Sequence, residues 1–231
     1  MSAFDLRIRK QLTSPGRSFA LDITLRTDSR RVVLFGDSGA GKSMTLNAIA
    51  GLIRPDEGWV RVDGQTLFDS AQGCDLSPQA RRLGYVFQDY ALFPHLTVRQ
   101  NIAFPLTEGL MNPRRGQRIA AVEQWLEALQ IGHVGDQYPR DVSGGQRQRT
   151  AVARALVANP RALLLDEPFA ALDHGSRGAT RKGLETLLDT LGIPVLLITH
   201  DPEDVAAFGD HVLHVCDGVS QHSSPALTAR R

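Results

Sequence analysis

Cysteine is scarce in this chain of 231 residues, which contains only Cys74 and Cys216. Neither cysteine lies in a CxxC pair or in a Cys/His cluster, so the sequence argues against a disulfide framework and against a zinc site. Scattered free cysteines fit a reducing, cytosolic setting.

A surplus of charge of one sign is also missing. The 26 Lys and Arg residues nearly balance the 25 Asp and Glu residues, and the net charge is +1. A chain without a strong positive field offers little attraction to a polyanionic backbone. We therefore expect no nucleic-acid partner.

Long apolar runs are absent too. The first ten residues, MSAFDLRIRK, lack the apolar stretch of a signal peptide. The strongest runs, at residues 32–35, 163–165 and 195–198, fall far short of the about 20 residues that a membrane-spanning helix needs. They indicate short strands buried on both faces. We expect a soluble protein that reaches a membrane only through a partner.

What the sequence does contain is a repeated order of apolar run, loop and helical segment. This order is typical of an α/β fold with a mainly parallel sheet. Ahead of it, residues 4–8 and 19–25 alternate apolar and polar side chains. The alternation predicts an N-terminal antiparallel β subdomain whose strands are joined through residues 14–16. Turn residues at 56–58 and 63–64 predict a further hairpin.

A helical insertion is predicted in the middle of the chain, where residues 118–129 carry apolar side chains at helical spacing. Strand character returns at Leu163. The last residues, from Ser220, are rich in polar side chains and are expected to fray. We predict a single domain over residues 1–231, divided into a core at 1–88 and 160–218, an inserted helical subdomain at 89–159 and a tail at 219–231.

The segment GDSGAGKS at 36–43 matches the phosphate-loop pattern GxxxxGK[ST] and lies between an apolar run and a helical segment. Glycines let the backbone curl so that its N–H groups face phosphate oxygens, and the helix N-terminus adds a favourable dipole. A glycine-rich turn capping an ordinary helix would lack this context. The pattern predicts a P-loop NTPase core in which Lys42 contacts the β- and γ-phosphates and Ser43 holds Mg²⁺. The predicted nucleotide-binding residues are Gly36, Asp37, Ser38, Gly39, Ala40, Gly41, Lys42, Ser43 and Met44.

Two carboxylates, Asp166 and Glu167, follow the apolar run that ends at Leu165. At the carboxyl end of a parallel strand they would face the ligand crevice. Asp166 would then support Mg²⁺, and Glu167 would orient and polarise the attacking water. Taken alone, the pair fits a solvated acidic turn equally well, but the phosphate loop favours the catalytic interpretation.

The segment VSGGQ at 142–146 closely resembles the LSGGQ signature of the ABC ATPases. Ser143, Gly144, Gly145 and Gln146 would lie at a helix start and form a second phosphate-binding surface. The resemblance implies that this surface acts on the nucleotide held by the other protomer of a homodimer.

Further residues of the ABC ATPase pattern follow in order, and the resemblance covers roughly residues 4–218. It implies that Gln88 reaches Mg²⁺ and the water, that Asp173 lies in the loop that crosses the dimer interface, and that His200 contacts the γ-phosphate. The implied cofactors are ATP and Mg²⁺. The implied catalytic residues are Glu167, His200 and Gln88, and the implied metal-supporting residues are Ser43, Gln88 and Asp166.

The chain shows no coiled-coil insertion, second cassette or membrane helix, so it resembles a stand-alone importer ATPase. Residues 47–52 and 81–98 look like the ATPases of oxyanion importers, those of molybdate importers above all, although sulfate, iron, polyamine and thiamine importers share most of the pattern. The implied partners are integral-membrane permease subunits and, indirectly, a solute-binding protein. The implied location is peripheral, on the cytoplasmic side of the cell membrane. The alternative is a non-transport ABC ATPase that remodels a soluble partner.

Exposed apolar residues after Gln88 would suit a permease-docking groove. Tyr90, Leu92 and Phe93 are the candidates, although packing inside the helical subdomain explains each of them equally well.

The chain departs from the family pattern at a few positions. Val142 replaces a leucine and Met44 a threonine. No aromatic residue lies between residues 12 and 17, where many relatives stack adenine, and Phe4 or Phe19 could take that role. The sequence ends soon after residue 218, so we expect no regulatory domain of the kind found in many molybdate- and maltose-type subunits.

Overall fold

The computed structural model describes residues 2–14, 17–107, 112–172 and 174–225. The strands are β1 Phe4–Ser14, β2 Arg17–Thr27, β3 Arg31–Phe35, β4 Glu57–Val62, β5 Gln65–Asp69, β6 Cys74–Asp75, β7 Leu83–Val86, β8 Ala162–Asp166, β9 Val195–Thr199, β10 His211–Cys216 and β11 Val219–Pro225. The helices are α1 Lys42–Ala50, α2 Pro78–Arg81, α3 Val98–Ala103, α4 Ala120–Ala128, α5 Gly144–Leu156, α6 His174–Leu191 and α7 Pro202–Phe208. Short 3₁₀ turns lie at Phe104–Leu106, Gly132–Val134 and Pro139–Asp141.

The described strands form one sheet in the order β6-β5-β4-β1-β2-β11-β10-β3-β9-β8-β7. From β10 to β7 all neighbours are parallel. At the other end β1, β2, β4, β5 and β6 pair antiparallel. The predicted α/β class, with a parallel core and an antiparallel N-terminal part, is confirmed.

The central strands are buried on both faces because two apolar cores flank the sheet. Every residue of β8 and β9 is buried. Leu163 and Leu165 pack in the core on the side of helices α3 to α6, whereas Leu164 packs in the core that contains α1 and the first strands. This explains why the sequence shows continuous apolar runs at these strands rather than alternation.

Helix α1 is held at its C-terminal end by a fully buried arginine. Gly51 ends the helix with φ 81°, and its N–H donates to the carbonyl of Ala48. The Arg81 guanidinium donates to the carbonyls of Ala48 and Ile49, both at 2.8 Å. These bonds satisfy acceptors that a helix end leaves open, and the positive charge suits the negative end of the helix dipole.

Two helices after residue 97, α3 and α5, begin at capping boxes. Thr97 forms a capping box with Gln100 at α3, and Ser143 forms one with Gln146 at α5. The helix expected over residues 118–129 is present as α4. The division of the chain into a core and an inserted subdomain stays a prediction.

The expectation of a frayed tail from Ser220 is wrong for the described part of that segment. Val219–Pro225 forms β11, which pairs antiparallel with β10. The Ser220 hydroxyl accepts the N–H of Thr24 at 3.0 Å, so a polar side chain ties this strand to β2. Polar composition concealed the strand, which is held by its backbone pairing with β10.

Among the helices of the described ranges, none combines the length and the apolar composition needed to cross a bilayer.

Candidate nucleotide-binding site

A cleft of about 450 Å³ opens where four parallel strands end. The phosphate loop follows β3, and three further segments follow β7, β8 and β9. Because these strands are neighbours, their carboxyl ends meet at one edge, where α/β sheets bind ligands. The cleft is lined by Phe19, Asp37, Ser38, Gly39, Gly41, Lys42, Ser43, Met44, Gln88, Glu167 and His200.

The phosphate loop is curled around the ammonium group of Lys42. Its Nζ atom donates to the carbonyls of Gly36 and Asp37, both at 2.7 Å. Gly39 and Gly41 have φ values of 83° and 97°, which residues with a Cβ atom rarely adopt. The segment folds this way because its glycines permit the positive φ angles and because Lys42 bonds back to the carbonyls at the start of the loop.

Two of the predicted loop residues support the loop from behind and do not line the cleft. A Cβ atom on Gly36 would lie 2.1 Å from the carbonyl oxygen of Val215 in β10, so only glycine fits there. Ala40 is buried, and its carbonyl accepts the N–H of Gly218 at 3.0 Å. The turn between β10 and β11 therefore buttresses the loop.

Asp166 lies beside the phosphate loop. The Ser43 hydroxyl donates to its Oδ1 atom at 3.0 Å. Burial raises the pKa of the Asp166 carboxyl above its ordinary value, and the hydrogen bond from Ser43 partly opposes this shift. The carboxyl is thus held in place by a donor from helix α1.

The oxygen atoms of this region suit Mg²⁺. Ser43 and Gln88 are exposed and line the same cleft, and the Asp166 carboxylate adjoins Ser43. Hard oxygen donors are the ligands that Mg²⁺ takes, commonly together with waters and substrate phosphates. Within the described ranges, no group of three or more His, Cys, Asp or Glu residues could hold a metal by itself. The donor set therefore fits a metal that arrives with a nucleotide.

Glu167 occupies a strained backbone position immediately after β8. Its φ of 44° lies in the left-handed region, which costs a non-glycine residue about 1 kcal/mol. Its N–H donates to the carbonyl of Ile198, and its Oε2 atom lies 3.2 Å from Nδ1 of His200. Such strain is typical of functional sites. Here the conformation carries the carboxylate into the cleft.

The loop of His200 is fixed by Arg181 of helix α6. The guanidinium bonds three carboxylates that follow the histidine, while the imidazole ring itself remains largely exposed. The partners of Arg181 are Asp204 at 2.8 Å, Glu203 at 2.7 Å and Asp201 at 3.2 Å.

The signature residues lie apart from this cleft. Ser143 caps helix α5, and its hydroxyl accepts the N–H of Gln146 at 3.3 Å while Gln146 Oε1 accepts the N–H of Ser143 at 2.8 Å. Gly144, Gly145 and Gln146 form the partly exposed first turn of the helix, and Ser143 before them is exposed. Although all four are described, none of them lines the cleft. Asp173, the other residue expected to reach a partner, lies outside the described residues.

The structure distinguishes between Phe4 and Phe19, the two aromatic residues that the sequence offered for contact with adenine. Phe4 is fully buried, so it cannot contact a base. Phe19 lines the cleft and approaches Gly41, where an added Cβ would lie 3.0 Å from its ring. Phe19 belongs to β2, and only the tertiary structure brings it next to the phosphate loop.

Of the two interpretations that the sequence left open for Tyr90, packing inside the protein holds and contact with a membrane partner does not. Its side chain is 2% exposed, and its hydroxyl donates to the carbonyl of Pro168 at 3.3 Å. Arg154 of helix α5 donates to the carbonyls of Tyr90 and Ala91 at 2.8 and 2.7 Å. Tyr90 therefore connects the helix of the signature with the loop of Glu167. Leu92 and Phe93, the other candidates, are partly buried.

The ABC transporter family profile matches residues 20–170, which is more than half of the chain. The chain belongs to the ABC transporter family. The matched range includes the phosphate loop, Gln88, the signature and both carboxylates of the acidic pair.

Curated relatives of this ABC protein include importer subunits. It is 44% identical over 221 residues to the molybdenum import ATP-binding protein ModC of Pseudomonas aeruginosa, covering 95% of this chain and 60% of the relative. It is 42% identical over 221 residues to the sulfate/thiosulfate import ATP-binding protein CysA of Synechococcus elongatus, covering 95% and 62%. For ModC of Paramagnetospirillum magneticum the identity is 42% over 200 residues, and the shares are 87% and 54%. The chain thus spans less than two thirds of the length of these relatives.

Two solved ABC cassettes have the same fold over nearly their whole length. A dimeric cassette in a post-hydrolysis state, bound to ADP and Pi, superposes with a TM-score of 0.78 at 28% identity, covering 97% of this chain and 98% of the other. A dimeric bacterial ABC transporter cassette gives a TM-score of 0.75 at 30% identity with the same coverage.

Proposed function

We propose that this ABC protein binds ATP with Mg²⁺ and hydrolyses it. The observation that carries the proposal is the meeting of Lys42, Ser43 and the Glu167–His200 pair in one cleft, with Asp166 bonded to Ser43 beside it. An ammonium group, inward N–H groups and a helix N-terminus together suit a triphosphate.

Binding would use the loop and one aromatic ring. Lys42 is already held at the centre of the loop, so its ammonium can exchange carbonyl partners for phosphate oxygens without a large movement. Phe19 offers an apolar ring surface beside Gly41, and we propose that the adenine base packs against it.

The metal would be held by Ser43, Asp166 and Gln88, directly or through water. Bound Mg²⁺ supplies charge neutralisation on the phosphate oxygens. Ser43 donates its one proton to Asp166, so its lone pairs remain available to a cation.

Hydrolysis requires a base and a fixed γ-phosphate. The Glu167 carboxylate can accept a hydrogen bond from a water molecule in the cleft and take its proton as the water attacks. His200, beside it at 3.2 Å, would contact the γ-phosphate. The left-handed backbone at Glu167 and the Arg181 bonds limit the freedom of both side chains, which favours a single reactive geometry.

The acting form would be a homodimer. Support comes from the signature residues, which form a preorganised helix start outside their own cleft. In a head-to-tail dimer this surface and Asp173 would serve the partner's ATP. Both solved neighbours named above are described as dimeric.

The dimer would energise an importer, with an oxyanion such as molybdate as the transported solute. The names of the relatives support this proposal, as they include molybdenum and sulfate/thiosulfate import proteins. The chain would then lie at the cytoplasmic face of the membrane as a peripheral subunit, bound to integral-membrane permease subunits and served indirectly by a solute-binding protein. Copurification with a permease would separate this role from that of an ATPase that remodels a soluble partner.

The variant Glu167→Gln tests the central step. Glutamine keeps the size and one acceptor oxygen but loses the charge and the basicity. We expect normal affinity for MgATP and hydrolysis slower by at least ~100-fold, the scale of losing a general base. Because ATP would join the protomers and hydrolysis would separate them, the variant should accumulate as a dimer with MgATP in size-exclusion chromatography.

Glu127→Gln is the matched control, since Glu127 lies on the exposed face of α4 outside the cleft. It should hydrolyse ATP like the parent chain. Parent-like turnover of Glu167→Gln would instead show that Glu167 is a solvated strand-end carboxylate, and the proposed mechanism would be wrong.

A further inference from the structure

The carboxylate of Asp166 is approached by a hydroxyl group at each of its oxygens. The Ser43 hydroxyl lies 3.0 Å from Oδ1, and the Tyr85 hydroxyl lies 3.5 Å from Oδ2. The Tyr85 hydroxyl is also 3.0 Å from Oδ1 of Asn47, which lies one helical turn after Ser43 in α1. Tyr85 thus bridges helix α1 and the end of strand β8.

The sheet places Tyr85 at this point. Strand β7 pairs in parallel with β8, and Tyr85 is the register partner of Leu164, two residues before Asp166. The Tyr85 ring stacks on Phe87 with centroids 4.2 Å apart, which fixes its direction. A tyrosine phenol keeps its proton at neutral pH, so the Tyr85 hydroxyl can act as a donor.

The orientation of Asp166 determines what Ser43 can do. A serine hydroxyl has one proton and two lone pairs, so Ser43 can offer lone pairs to a cation only while its proton goes to another acceptor. Asp166 is that acceptor. Because the residue is only 6% exposed, few water molecules can donate to its carboxylate instead. A donor at Oδ2 restrains rotation of the carboxylate about its last torsion.

Asn47 keeps the tyrosine hydroxyl in place in either orientation of its amide. With Oδ1 towards Tyr85 the amide accepts the phenolic proton, which is shared with Asp166. After a half-turn of the amide, its NH₂ group donates to the phenolic oxygen and the tyrosine proton is left for Asp166. Both arrangements hold the hydroxyl beside the carboxylate.

We propose that Tyr85 is a positioning residue for the metal site: its hydroxyl orients Asp166, and through Asp166 it directs the Ser43 lone pairs towards Mg²⁺. The proposal rests on the proposed function, since it requires MgATP in the cleft. It predicts that Tyr85 affects the affinity for the metal and leaves the affinity for the nucleotide itself unchanged.

The variant Tyr85→Phe removes one oxygen atom and keeps the ring. Its binding of a fluorescent ATP analogue would be titrated with EDTA present and then with increasing Mg²⁺, and its turnover would be measured across the same Mg²⁺ range. We expect metal-free affinity close to that of the parent and a Mg²⁺ midpoint about fivefold higher, the equivalent of one ordinary hydrogen bond. Turnover at saturating Mg²⁺ should approach that of the parent.

Tyr138→Phe is the control, because Tyr138 lies outside the cleft with its ring near Arg115 and Arg140. It should leave the Mg²⁺ midpoint unchanged. An unchanged midpoint in Tyr85→Phe, or an equal loss of metal-free and metal-dependent affinity, would overturn the role of Tyr85 and leave the proposed function standing. A parent chain that binds no ATP analogue at all would overturn both.

Discussion

Tyr90 illustrates at the scale of one residue how a buried hydroxyl ties the loop of Glu167 to the rest of the protein. Burial raises its pKa to about 12, from an ordinary value of about 10. The folded state thus retains the phenolic proton in a range where the unfolded state loses it. The free energy of unfolding should be unaffected by this group below pH 10 and should fall as the pH rises from about 10 to about 12.

The variant Tyr90→Phe should lose this part of the pH dependence. We expect the parent to lose about 1 kcal/mol more stability than the variant between about pH 9 and about pH 11, measured by urea unfolding. Burial also raises the pKa of Tyr85, but Tyr85 is present in both proteins, so its effect on the free energy of unfolding cancels in the comparison. Equal slopes in parent and variant would show that the Tyr90 hydroxyl is not held in the buried position that its bond to Pro168 indicates.

At the scale of an element, the start of helix α5 combines a capping box with a surface that lies outside the cleft of its own chain. Gly145 lies in the first turn of the helix, where an acidic side chain is stabilised by the positive end of the helix dipole. An added Cβ would have only the Thr180 hydroxyl nearby, at 3.6 Å, so a larger residue fits within the monomer.

The variant Gly145→Asp should therefore fold and bind ATP as the parent does, while its turnover falls by at least ~100-fold. The reason is that the new carboxylate would face the phosphates of the partner's ATP and repel them. Calorimetric titration would report binding, and phosphate release would report turnover. Gly183→Asp on α6, an exposed position with open space around it, is the matched control. Surviving turnover in Gly145→Asp would contradict the proposed use of the signature by a partner.

At the scale of the whole molecule, one chain carries both surfaces that the proposed site needs, but its signature lies apart from its own cleft, so a complete site needs two chains. Hydrolysis per chain should therefore rise with protein concentration and level off as the dimer becomes saturated, in line with mass action. ATP binding to the phosphate loop, measured by a fluorescent analogue, should depend far less on concentration. A rate per chain that stays constant across dilutions in which size-exclusion chromatography finds only monomers would contradict the dimer proposal.

The sequence alone determined the features that depend on local chemistry. The phosphate loop of 36–43 needs glycines and a lysine in a short segment, and the acidic pair needs only an apolar strand before it. The cap of α5 is likewise a four-residue pattern. The apolar runs at β3, β8 and β9 predicted a parallel core because strands covered on both faces must be apolar throughout.

Only the tertiary structure decided which distant side chains meet. The bond from Tyr85 to Asp166 joins residues 81 positions apart, that from Tyr90 to Pro168 spans 78, and that from Thr24 to Ser220 spans 196. Such contacts follow from the order of strands in the sheet, which no local pattern contains. The sequence shows where a hydroxyl or a carbonyl lies along the chain, whereas the pairing of β7 with β8 and of β11 with β2 decides which group it reaches.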